Sequence, residues 1–120
     1  MPGWLWVGLG GALGAIARYG VSLALAGSAA RFPWPTFAVN VLGCLLIGLV
    51  AGVLARAPDG DTLRLFVVTG VLGGFTTFSA FGLETLTLMR RGDAALAAVY
   101  VLGSVGVCLF AVWLGSRLAE

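Results

Sequence analysis

Histidine and lysine are both absent from this 120-residue chain, and only 10% of its residues are charged. Without histidine, a His/Cys zinc site and an imidazole acid–base pair are close to excluded. Seven arginines against five acids give a net charge of +2, too little to suggest a nucleic-acid partner. The two cysteines, Cys44 and Cys108, fall inside apolar segments, where a thiol behaves as a small apolar group, and no disulfide is predicted. No nucleophile–base pair, metal cluster or phosphate-binding loop is legible, so an enzyme is not expected.

What the chain has instead is apolar length. Hydrophobic residues make up 60% of it, and its mean hydropathy is +1.06. A soluble domain of this size could not hide so much apolar surface. Four apolar segments, at 4–27, 36–55, 63–89 and 94–117, each approach or exceed the ~20 residues that span a bilayer. The predicted architecture is one all-α integral membrane domain over residues 1–120. Ala24-Leu25-Ala26 resembles a signal-peptidase site, but no basic side chain precedes the apolar run and Arg18 interrupts it, so the segment is read as a helix.

The third segment contains GGFTTFSAF, Gly73 to Phe81. Gly73 and Gly74 hold a helix poorly, and Thr76, Thr77 and Ser79 can hydrogen-bond local backbone in competition with the helical ladder. The predicted result is a helix broken in mid-membrane, although a simple kink would fit the same residues. Non-helical backbone at that depth is tolerated only where it is buried in protein or lines a polar cavity. Beyond it, Phe78 and Phe81 share a helix face. Glu84 lies close enough to Arg90 and Arg91 for local pairing, yet an acid at such depth is more often functional. In the preceding loop, RAPDGDT, Pro58 and Gly60 mark a turn, and Asp61 or Thr62 can cap the helix that follows.

The other segments add polar side chains at helical spacing. Segment one has Gly10 and Gly14 in a G-x-x-x-G pattern that lets helix backbones approach closely. Arg18 stands roughly fourteen residues in, ~21 Å along the axis, where it either snorkels to the headgroups or sets an electropositive vestibule. Trp34, with Pro33 and Pro35, marks an interfacial helix start. Segment two lines up Thr36, Asn40 and Cys44; the Asn40 amide serves either as interhelical glue or as a donor lining a polar path. Segment four lines up Tyr100, Ser104 and Cys108, a second polar stripe.

Arginine does not choose an orientation. Arg56, Arg64 and Arg117 fall on one side of the membrane, and Arg31, Arg90 and Arg91 on the other, with Arg18 nearby, so the positive-inside rule finds little imbalance. Insertion both ways would allow an antiparallel two-fold dimer. A broken helix offers carbonyls to a cation and N–H groups to an anion. Phenyl rings carry an electropositive edge that can face a small anion without a fixed charge, and conduction needs binding that is favourable but weak.

With these residues the chain resembles the Fluc, or CrcB, family of fluoride channels over essentially its whole length. GGFTTFSAF with Glu84 is the strongest match, joined by GGALGAIARY, PTFAVNVLG and the Tyr100/Ser104 stripe. The resemblance implies a multi-pass protein of the cell (inner, cytoplasmic) membrane, an antiparallel dual-topology homodimer passing fluoride passively out of the cell. It implies that Phe78 and Phe81 face fluoride with their ring edges. Asn40, Thr36, Ser79, Thr77, Tyr100 and Ser104 would supply further pore lining. Backbone carbonyls at Gly73 and Thr76 would hold a structural sodium ion (Na+) at the dimer interface. Arg18 and Glu84 match the family's helix-one arginine and helix-three acid. Two positions depart from the pattern: Cys108 replaces a frequent serine, and Ala80 a frequent threonine. The competing readings are a small multidrug-resistance-type exporter, which would need a carboxylate deep in segment one, and a non-transporting membrane subunit.

Overall fold

A computed structural model describes residues 1–28, 31–57 and 59–120. The turn expected at Pro58 therefore lies outside the described residues. Helix α1 runs Gly3–Ala24 and α2 runs Trp34–Leu54. The third apolar segment divides into α3 (residues 61–75) and α4 (Ser79–Arg90), and α5 runs Ala94–Leu118. Taken by length and composition, the chain has four helical stretches able to cross a membrane: Gly3–Ala24, Trp34–Leu54, Asp61–Arg90 and Ala94–Leu118. All regular structure among the described residues is helical.

The ends of the helices follow local chemistry. Pro33 caps α2, with Pro35 in the first turn, where a missing N–H costs nothing. Gly60, rather than Asp61 or Thr62, occupies the cap of α3, and no side-chain capping bond forms there. Asp61 instead sits in the first turn, where its charge complements the helix dipole. Two residues past the end of α4, Gly92 has a φ of 82°, a conformation that favours glycine. Around it Asp93 N–H bonds the Leu88 carbonyl (2.9 Å) and Gly92 N–H the Met89 carbonyl (3.1 Å), closing the orphan carbonyls of the last turn. Helix α1 stops at Ala24, short of Gly27, and gives way to a 3₁₀ turn over Ala26–Ser28.

Two seams of helix on helix build the body. In the first, α1 lies beside α3. A Cβ on Gly10 would strike the Phe66 carbonyl oxygen, one on Gly14 the Val71 carbonyl oxygen, and one on Gly74 the Gly11 carbonyl oxygen. The expected packing role of Gly10 and Gly14 thus has its partner. Over Leu65–Leu72, in the middle of this contact, α3 widens to π-helical hydrogen bonding. In the second seam α2 lies beside α5. Gly48 faces the Val112 carbonyl, Gly115 the Leu45 carbonyl, and Gly52 the Ala119 side chain. Both seams run in parallel register, since contacts advance along both helices together. Arg56 at the end of α2 donates to the Ala119 carbonyl and ties the two chain ends of that seam.

The largest fully buried side chains are Tyr100 and Val39. Tyr100 is enclosed by Phe81 at 5.0 Å between ring centroids and by Phe32 at 5.3 Å, with Leu88 and Ala97 completing the cluster.

Candidate functional site

Residues 76–78 lie between α3 and α4 and outside both helices. Thr76 has extended backbone, φ −87° and ψ 161°. Its hydroxyl donates back to the Leu72 carbonyl at 3.0 Å, in parallel with its own N–H at 3.1 Å. The next residue, two before the start of α4, serves the following helix: Thr77 Oγ1 accepts the Ala80 N–H at 3.2 Å, in the manner of an N-cap. The hydroxyls of Thr77 and Ser79 lie 3.4 Å apart.

Two distant side chains hold this interruption. Asn40 on α2 donates from Nδ2 to the Thr77 carbonyl (2.9 Å) and accepts the Thr77 N–H at Oδ1 (2.8 Å). An amide side chain thereby replaces a peptide group and satisfies both backbone groups of Thr77. Of the two roles open for Asn40, this geometry establishes the interhelical one, and Nδ2 retains a second N–H. Arg18 on α1 donates from Nε to the Gly74 carbonyl at 3.1 Å. Its guanidinium therefore meets the carbonyl end of α3, where the helix dipole favours a cation. Snorkelling alone does not account for that contact.

The residues named from the sequence separate into two neighbouring groups. The first lines one cavity of about 320 Å³: Asn40, Gly73, Thr76, Thr77, Phe78, Phe81, Ser104 and both cysteines contribute to its wall. No charged side chain lines it. Within it Phe78 and Phe81 lie 5.5 Å apart between centroids and tilted at 42°. They differ sharply in environment: Phe81 is 9% exposed, while Phe78 is 83% exposed. The Ser104 hydroxyl is buried and has no hydrogen-bond partner among the described residues. Ser79 is exposed at the head of α4 and is not part of the cavity wall.

The second group surrounds Glu84. Thr36 Oγ1 donates to one carboxylate oxygen at 3.0 Å and Tyr100 OH to the other at 3.3 Å. The local pairing of Glu84 with Arg90 or Arg91 is not what forms; Arg91 instead contacts Asp93 at 3.8 Å and the Arg31 carbonyl at 3.0 Å. Thr36 and Tyr100 thus meet each other through Glu84 rather than in the cavity, and the Phe81 ring lies between the two groups.

Sequence reasoning did not single out Gly43, whose missing side chain makes room for Thr76. Its signal was available: glycine one turn beyond Asn40, on the face toward the interruption.

Comparison with known proteins is consistent along the chain. The family model described as CrcB-like protein, Camphor Resistance (CrcB), matches residues 5–116. A Novosphingobium aromaticivorans protein named fluoride-specific ion channel FluC is 51% identical over 113 residues, covering 92% of this chain and 90% of its own. A Methylobacillus flagellatus protein of the same name is 49% identical over 120 residues, covering 95% and 91%. One from Paracoccus denitrificans, also so named, is 53% identical over 111 residues, covering 92% and 89%.

Proposed function

The chain belongs to the CrcB family, and from that premise we propose that it is a fluoride-selective channel that passes fluoride passively out of the cell across the cytoplasmic membrane. The observation that carries this reading is the cavity. It is uncharged, and lined by a phenylalanine pair and by hydroxyl and amide donors. A fixed cation in its wall would bind a small anion too tightly to release it, whereas ring edges and neutral donors bind weakly enough for transit. The orphan hydroxyl of Ser104 and the second N–H of Asn40 are donors with capacity to spare. Thr77 belongs to the same polar lining, Ser79 stands outside the wall with its hydroxyl 3.4 Å from that of Thr77, and Thr36 and Tyr100 adjoin it through Glu84.

The working unit in this proposal is an antiparallel, dual-topology homodimer in the lipid bilayer, with the interruption of the third span at membrane depth. Phe78 supports it: an aromatic ring 83% exposed at the mouth of a functional cavity is a surface awaiting cover. The balanced arginines support it too.

A structural sodium ion at the dimer interface fits the residues present. Where α3 ends, its last carbonyls lose their helical donors, and carbonyl oxygens at a helix C-terminus suit a hard cation. Arg18 takes the Gly74 carbonyl, so Gly73 and Thr76 are the residues that would hold the ion. When bound, it supplies positive charge that pins the two interrupted spans together.

Fluoride efflux from liposomes containing the purified protein, followed with a fluoride electrode and with chloride as control, tests the reading. Rapid efflux that excludes chloride is expected, with sodium present. Phe78→Ala is the sharper variant, because removing an exposed ring costs the protomer little, whereas Phe81→Ala also empties a packed site at about 3–5 kcal/mol. Unchanged flux and selectivity in Phe78→Ala would refute the ring-edge role. A well-folded dimer that passes no fluoride would refute the channel.

A further inference from the structure

Helices α2 and α5 are parallel, and one constant sequence offset relates Thr36 to Tyr100, Asn40 to Ser104, Cys44 to Cys108 and Gly48 to Val112. Contacts fix this register at two levels: Thr36 and Tyr100 meet on Glu84, and Gly48 abuts Val112. Cys44 and Cys108 lie between those levels, opposite one another. Both thiols are half-buried and free, and both line the same cavity.

We propose that Cys44 and Cys108 together form a two-thiolate site for a divalent soft cation of the mercury(II) type. Thiolates are soft ligands and select soft metals. No group of three or more His, Cys, Asp or Glu forms among the described residues, so no third ligand of those types joins the pair. That excludes the four-ligand tetrahedral site zinc requires and leaves cations content with linear two-coordination. Charge then chooses among these. The cavity wall that the thiols share is mostly apolar, with Ile47, Val68, Leu72 and Val105 among its residues. A divalent cation displaces one proton from each thiol, releasing two, and leaves a neutral bis-thiolate. Silver(I) or copper(I) on the same two thiolates would leave a net negative complex in an apolar site, which costs desolvation. The site therefore discriminates in favour of the divalent ion, and it goes beyond the channel reading without depending on it.

The test is intact-protein mass spectrometry of the purified full chain after exposure to mercury(II) and a wash with excess competing monothiol. The wild type is expected to retain one mercury per chain, with a mass showing that two protons have left; this count needs no variant and would stand even if a substitution impaired folding. Cys44→Ser and Cys108→Ser are each expected to lose the retained metal, because a single thiolate exchanges with the competitor. Two mercury ions per wild-type chain, metal stripped from the wild type by the monothiol, or full retention in either single variant would each overturn the proposal.

Discussion

The two helix seams use opposite means to the same end. Between α1 and α3 the contact is backbone on backbone, through Gly10, Gly14, Gly70 and Gly74. Between α2 and α5, glycines do this work at one end only, where Gly48, Gly52 and Gly115 lie. At the other end polar side chains face each other level by level, and there the cavity opens. In a bilayer the solvent is as apolar as the side chains, so close packing and hydrogen bonds, rather than hydrophobic burial, hold helices together. A seam closed by glycines along its length has no room for chemistry. A seam that exchanges glycine for Asn40, Cys44 and Ser104 gives up contact area and gains donors. The site lies on the seam that is incompletely closed.

The largest effect expected from breaking this contrast lies in the glycine seam. Gly14→Leu would drive a side chain into the Val71 carbonyl and the Phe75 amide, neither of which can move without displacing α3. Overpacking typically costs about 1–3 kcal/mol and occasionally more; a clash with backbone on both sides belongs at the upper end, enough to abolish a monodisperse folded protein in detergent on size-exclusion chromatography. A variant that remains monodisperse with unchanged thermal unfolding would show that α1 and α3 are not so close.

Asn40→Leu comes next. It leaves the Thr77 N–H and carbonyl without partners; each orphaned buried group costs about 1–3 kcal/mol, and because Thr77 is only half-buried a combined loss in the lower part of the doubled range, about 2–4 kcal/mol, is expected in unfolding titrated with denaturing detergent. Fluoride efflux should fall as well, since the interruption loses its support. Ser104→Ala separates the two effects. Its hydroxyl has no partner among the described residues, so its removal should change stability by less than about 1 kcal/mol while lowering efflux. Equal stability losses in the two variants would contradict the different bonding of the two residues.

What the sequence made legible follows from the range of each interaction. The four spans were readable because hydropathy acts residue by residue, and their ends fell within a few positions of those observed. The hydroxyls of Thr76 and Thr77 were readable as competitors of the helical ladder because their partners, Leu72 and Ala80, lie within one turn. Asn40 was legible as important and not as a peptide mimic, because its partner stands 37 residues away. Arg18 meets a carbonyl 56 residues away, and periodicity holds no information about that. Glu84 misled for the same reason: nearby arginines were visible in sequence, whereas Thr36 is 48 positions distant. The Gly48/Gly52 pattern in α2 has the same spacing as Gly10/Gly14 and was an available signal of the second seam.

The smallest expected effect is also the cleanest control on the first. Gly8 sits in α1 a few residues before Gly14, yet a Cβ built there meets nothing within 4 Å. Glycine inside a helix is worse than alanine by roughly 0.5–1 kcal/mol, because the unfolded chain loses more freedom on folding. Gly8→Ala should therefore leave the fold intact and stabilise it by up to that amount, visible as a small rise in the thermal midpoint in detergent. Gly14 and Gly8 share residue type, helix and bilayer environment, and differ in what stands opposite. If Gly8→Ala destabilised the isolated protomer, glycine content as such would be what α1 requires. If it does so only in the assembled protein, the open face of α1 is covered by a partner, and the same substitution then locates the edge of that interface.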